Sequence, residues 1–205
     1  MTLWYLARAS GIVAMVAFTL ATAFGAIASA PRRRSSLGAA NRRVLVQYVH
    51  RSAAVMGLAL VGMHVTTILL DSVANVPLSA VVLPMTSAYR PFAVTLGALT
   101  LWSMLAVAGA GALRRQFARG SRSSRLWRSV HVFSYAAWAA MIGHALTAGS
   151  DAGTRAMTAL VLGCVALVST AVIIRLFAQG LYHRTPLSTI RARLAGAAVT
   201  TRNQS

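Results

Sequence analysis

The apolar positions of this chain come in long unbroken runs and lack the three- and four-residue spacing of an amphipathic soluble helix. Five runs, from about Leu3 to Ala30, Val44 to Leu70, Pro91 to Leu113, Leu126 to Ala148 and Ala156 to Leu181, are each long enough to qualify as a span. A helix needs about 20 such residues to cross roughly 30 Å of hydrocarbon. The pattern predicts an all-α polytopic transmembrane bundle of about five helices over residues 1–181, with a cytoplasmic tail over 182–205. It also predicts a multi-pass protein of the cell (plasma) membrane.

Charge supplies the expected orientation. The chain carries a formal +18, every cation is an arginine, and the arginines gather between the apolar runs. Such clusters read as topology signals, not as a nucleic-acid surface. Ala28-Ser29-Ala30 before Pro31 has the form of a signal-peptidase site, but only Arg8 precedes it while Arg32, Arg33, Arg34, Arg42 and Arg43 follow. The heavier charge holds the C-terminal end of the first span in the cytoplasm. The connection from Asp71 to Arg90 then falls outside, Arg114 to Arg128 inside, Gly149 to Arg155 outside and the tail inside, giving N-terminus out and C-terminus in. Trp4, Tyr5 and Tyr89 fall near the expected outer surface and Tyr48, Trp127 and Tyr182 near the inner one. Glycines and alanines recur in every span, Gly109 and Gly111 among them, and read as close helix packing. In the tail, Leu187, Ile190 and Leu194 against Arg191 and Arg193 suit a short amphipathic helix on membrane lipid.

The residue inventory excludes several functions. Asp71 and Asp151 are the only acids, so no span carries a carboxylate pair for acid–base work or ion pumping. Cys164 is alone inside an apolar run and reads as a small buried residue. No glycine-rich dinucleotide fingerprint follows a strand, and no polar segment is long enough to fold as a nucleotide domain.

Histidine is the exception to this plainness. Four of the five lie in two spans: His50 and His64 in the second, His131 and His144 in the fourth. Ionisable side chains inside a membrane are costly and mark function. Both spans run inside to outside, so His50 and His131 share an inner level and His64 and His144 an outer one. The steps of 14 and 13 residues separate the levels by roughly 20 Å at about 1.5 Å per residue. Two levels, each with one histidine from each helix, are what two stacked bis-imidazole haems need. Imidazole is a neutral nitrogen donor, and two of them saturate haem iron for outer-sphere electron transfer. A 14-residue step keeps one helix face to within about 40°, whereas a 13-residue step misses by about 140°. The fourth span therefore needs a bend, expected near Gly143, or ring planes at different azimuths, and the ligand assignment this bears on most is that of the outer level. His183, beside Arg184, reads as a solvated interface residue.

His50-Arg51 leading to His64, then Trp127-Arg128-Ser129-Val130-His131 leading to Gly143-His144, resembles the ferric reductase-like transmembrane domain. That superfamily includes ferric reductases, the membrane core of NADPH oxidases and the haem subunit of a periplasmic methionine sulfoxide reductase system. Ser87-Ala88-Tyr89-Arg90-Pro91 is similar to its small actinobacterial members. The resemblance spans roughly Leu3 to Leu181 and implies two b haems, ligated by His50 with His131 and by His64 with His144. It also implies electron flow from a cytoplasmic reductant to an extracytoplasmic acceptor. Arg51 and Arg128 are candidates for the inner haem propionates, Arg90 or Arg155 for the outer, and Arg175 for snorkelling or for a propionate. Trp102, Phe133, Tyr135 and Trp138 are candidates to lie against a porphyrin or to pack between helices.

Larger members append a flavin and nicotinamide domain that this sequence lacks. The implied donor is a separate flavoprotein reductase, which carries any flavin, or quinol. Two other readings keep the same spans: a single-haem, quinol-linked cytochrome b anchor, and a cofactor-free small transporter or assembly factor whose histidines serve packing or proton transfer.

Overall fold

A computed structural model describes residues 2–29, 37–72, 74–114 and 129–183. Side chains are described from residue 41 in the second helix and up to residue 180 in the last. The elements are α1 (Thr2–Ala28), α2 (Leu37–Leu70), a 3-10 turn (Leu78–Val81), α3 (Pro91–Ala112), α4 (Ser134–Ala148) and α5 (Arg155–His183). Thr2–Ala28, Asn41–Leu70, Pro91–Ala112 and Arg155–Gly180 are long and apolar enough to cross a membrane. The chain is an all-α polytopic bundle consistent with a multi-pass protein of the plasma membrane. Below, "upper" is the end that carries the N-terminus, segment 71–90 and residues 149–154, and "lower" is the opposite end.

Four of the five expected spans are matched by helices long enough to cross, with shifted limits, and the fourth, Leu126 to Ala148, is not among them. α2 begins at Leu37, seven residues ahead of the expected Val44, because the polar stretch with Asn41, Arg42 and Arg43 continues the helix instead of ending it. The fourth span is divided: a helical turn at 129–132 precedes an interruption at Phe133, and α4 proper has 15 residues. Phe133 keeps helical dihedrals (φ −59°, ψ −19°), its amide donates to Ser129 at 3.1 Å and its carbonyl accepts from Ala137 at 3.1 Å. The span thus runs on through a local irregularity. Gly149 ends it in extended conformation, and the Arg90 guanidinium donates to the carbonyls of Thr147 (2.7 Å) and Gly149 (3.4 Å). A cation there complements the negative helix terminus.

α1 is the central helix. It packs most extensively on α2 and also against α5 and α4, while α3 packs on α4. Ala7, Ala14, Ala17, Ala21 and Ala23 are buried along α1, and such small residues let backbones approach closely. The outside of the bundle is apolar, with Leu162, Ile173 and Phe177 of α5 exposed, as a lipid-facing surface requires. Among the described residues α2 and α4 do not rank with the closely packed helix pairs. Histidines bridge the gap between them.

Candidate functional site: two histidine levels

The structure brings the four histidines together in the two expected pairs. His50 and His131 lie with ring centroids 6.0 Å apart and planes at 62°, and His64 and His144 at 6.2 Å and 84°. The ring planes within each pair are crossed, and the fourth span, with its 13-residue step, carries the irregularity at Phe133. The helix assignment of α4 continues through Gly143. The irregularity lies two residues from His131.

Three of the rings are oriented by the same device. His64 Nδ1 lies 2.7 Å from the Ala7 carbonyl, His50 Nδ1 2.7 Å from that of Ala21, and His144 Nδ1 2.7 Å from that of Ala93. A carbonyl only accepts, so Nδ1 carries the proton, and in the neutral ring Nε2 keeps its lone pair.

Glycines make this close approach sterically open. A Cβ on Gly11 would stand 2.9 Å from His64 Nδ1, one on Gly25 3.1 Å from His50 Cε1, and one on Gly97 2.7 Å from His144 Cε1. Gly111 faces His131 at 4.0 Å. Each glycine of the three closer contacts lies one helical turn after the carbonyl that its histidine engages. The sequence reading missed Gly11, Gly25 and Gly97. The available signal was that glycines 14 residues apart recur in the first and third spans, matching the step from His50 to His64. Gly109, read as a packing glycine, has nothing within 4 Å of where a Cβ would stand.

Midway between the levels the bundle is filled. Phe18, seven residues from both Gly11 and Gly25, presses its ring against Gly57, itself seven residues from both His50 and His64. Met104 joins Phe18 in the buried cluster, and Trp138 packs against it. The Trp138 Nε1 donates to Thr19 Oγ1 at 3.0 Å.

Around His64 and His144 a mostly apolar cavity opens toward the upper end. Its charged lining residues are Arg8 and Asp151, which form a two-pronged ion pair, both half-buried. Arg8 precedes Gly11 by one turn and lines the same cavity as His64. Arg90 and Arg155, the expected upper candidates, do not line this cavity. Arg90 is spent on the end of α4, and Arg155 is exposed and does not line the cavity.

The remaining candidates divide. Trp102 turns away from the histidines, donating to the Val81 carbonyl at 2.8 Å, and Phe133 is exposed. Arg175 donates to the Tyr135 hydroxyl at 3.0 Å, one turn along from His131. Arg51 is exposed beside His50. Arg128, most of the lower connection and the tail lie outside the described residues, as does the side chain of His183. Among the described residues no group of three or more His, Cys, Asp or Glu gathers to hold a metal ion. No family model, curated protein or solved structure matches this chain.

Proposed function

We propose that the chain is a transmembrane electron-transfer subunit of the ferric reductase-like type, holding one b-type haem between His64 and His144 and a second between His50 and His131. The observation that carries this reading is the ring spacing of 6.0 and 6.2 Å. A metal bound to one nitrogen of each ring at about 2.0–2.1 Å, with each nitrogen about 1 Å from its ring centre, calls for centroids roughly 6 Å apart. The donor chemistry fits as well, since ligating imidazoles characteristically donate their other N–H to a carbonyl or carboxylate. The glycines supply the flat backing that a Cβ would fill.

A bis-imidazole haem supplies a one-electron centre that changes oxidation state without changing ligands. The chain's own residues do the rest. Ala7, Ala21 and Ala93 fix three imidazole tautomers through their carbonyls. Arg8 provides a cation for carboxylates at the upper mouth, and Arg51 and Arg128 are proposed for the lower level. Phe18, Met104 and Trp138 keep water out of the layer between the levels. The arginine distribution supports the upper end as the outside, so electrons pass from a separate flavoprotein or quinol in the cytoplasm to an acceptor beyond the membrane.

The test is haem content per chain by pyridine haemochromogen on detergent-purified protein, with reduced-minus-oxidised spectra of the four single His→Ala variants. The expected result is two b haems, with His64→Ala and His144→Ala each removing one and His50→Ala and His131→Ala each removing the other. A single haem that survives the lower-level substitutions would favour the one-haem cytochrome. A colourless parent protein overturns both readings.

A further inference from the structure

The segment from Asp71 to Arg90 reads in the sequence as an aqueous connection, but its contacts fix it at another depth. Trp102 is the twelfth residue of α3, about 16 Å along the helix axis from Pro91. A helical tryptophan leans back toward the N-terminus by little more than a turn. Its indole N–H nonetheless reaches the Val81 carbonyl, so Val81 lies well below the start of α3. The chain then climbs. The Met85 amide donates to Thr95 Oγ1 at 2.8 Å, one turn into the helix, and Arg90 caps it. Asn75 and Met85, at φ 44° and 63°, turn the two limbs.

Side chains and backbone both suit hydrocarbon. No charged residue occurs between Asp71 and Arg90. Leu78, Val82, Leu83 and Met85 are 71%, 63%, 55% and 59% exposed. Irregular backbone at membrane depth survives only where its polar groups are satisfied and one side rests on protein or a cavity. Here Ala80 N–H donates to Pro77, Val82 and Leu83 N–H donate to Ser79, and Ala74, Val76, Ala80 and Val81 line the upper cavity.

We propose that residues 77–85 form a re-entrant hairpin inserted into the leaflet at the upper end. One face contacts lipid acyl chains through Leu78, Val82 and Leu83, and the other walls the histidine cavity off from the bilayer. This holds whether or not haem binds.

The experiment places single cysteines at Leu78, Leu83 or Gly153 in a Cys164→Ala chain, reconstituted in phosphatidylcholine vesicles and exposed to a membrane-impermeant maleimide. Gly153, in the connection between α4 and α5 with nothing close to it, reports exposure to water. The thiolate is the reacting form and hydrocarbon suppresses it, so Leu78→Cys and Leu83→Cys label about tenfold or more slowly than Gly153→Cys. Nitroxides at positions 78 and 83 are relaxed by lipid-dissolved oxygen and not by an aqueous nickel chelate. Trp102→Phe, which removes the anchor at Val81, speeds labelling at position 83. Labelling at the Gly153→Cys rate overturns the proposal. So do nitroxides shielded from both oxygen and nickel, which would mean that protein, not lipid, covers the face. Val82→Cys repeats the test on the same face if either leucine variant does not fold.

Discussion

The two histidine levels are built from the same parts to different tolerances. At the upper level both rings reach a backbone carbonyl at 2.7 Å and both press on a glycine, with Cβ approaches of 2.9 and 2.7 Å. At the lower level His50 keeps this arrangement with Ala21 and Gly25, but His131 stands 4.0 Å from Gly111 and lies two residues from the break at Phe133. The cause is register. Gly11 to Gly25, His50 to His64 and Gly97 to Gly111 all step 14 residues, while His131 to His144 steps 13. Three helices return to one face after the step and the fourth does not. The mismatch collects where α4 has just begun, leaving the upper level tight.

The sharpest way to break this comparison is to add one methyl group at each level. Gly97→Ala drives a Cβ into the His144 ring, an overpacking that costs about 1–3 kcal/mol and displaces the ring from its pair. The expected outcome is loss of the upper haem with the lower retained, together with a lowered thermal midpoint. Gly111→Ala meets His131 only at ordinary contact distance and Gly109→Ala meets nothing, so both keep two haems. Equal losses from Gly97→Ala and Gly111→Ala would show that the difference in tolerance does not exist in the molecule. Haem content and thermal unfolding of the three variants read it directly.

Much of this architecture was legible before any coordinates, and what was not has a physical reason. The apolar runs fix the helices because hydrocarbon leaves the backbone no other partner. The histidine levels followed because nearly equal spacing on helices running the same way is itself a depth measurement. The glycines stayed silent, since in a membrane helix glycine ordinarily means packing. Only the matching 14-residue step distinguishes Gly11, Gly25 and Gly97 from Gly109. Arg8 was invisible as a site residue because its partner, Asp151, lies 143 positions away and nothing local links them. Trp102 stayed open between a porphyrin and helix packing because an aromatic in a span gives no indication of the face it occupies.

The Arg8–Asp151 pair belongs to the upper level alone and sharpens the comparison electrostatically. A cation near an electron carrier disfavours its more positive, oxidised form and raises the midpoint potential, and an anion does the reverse. Arg8→Gln is expected to lower the upper haem potential and Asp151→Asn to raise it, each on the order of tens of millivolts given the partial exposure of the pair. On the proposed function, a haem at the lower level is expected to keep its potential. Potentiometric titration of the two variants separates this from a bracing role, in which both substitutions would loosen the fold alike and leave the sign of the shift the same.

The smallest effect is expected between the levels. Trp138 packs against the buried residues of both halves of the bundle, and its N–H donates to Thr19, which in turn donates to the Met15 carbonyl. Trp138→Phe keeps an aromatic ring but leaves Thr19 without that donor and the layer short of volume. A hydrogen bond of this kind contributes about 1 kcal/mol, so the thermal midpoint should fall by a few degrees at most. Because the contact favours neither level, the two haems should be retained equally. Preferential loss of one would mean that the intervening layer belongs to that level, and the picture of two sites divided by a shared packed core would have to be redrawn.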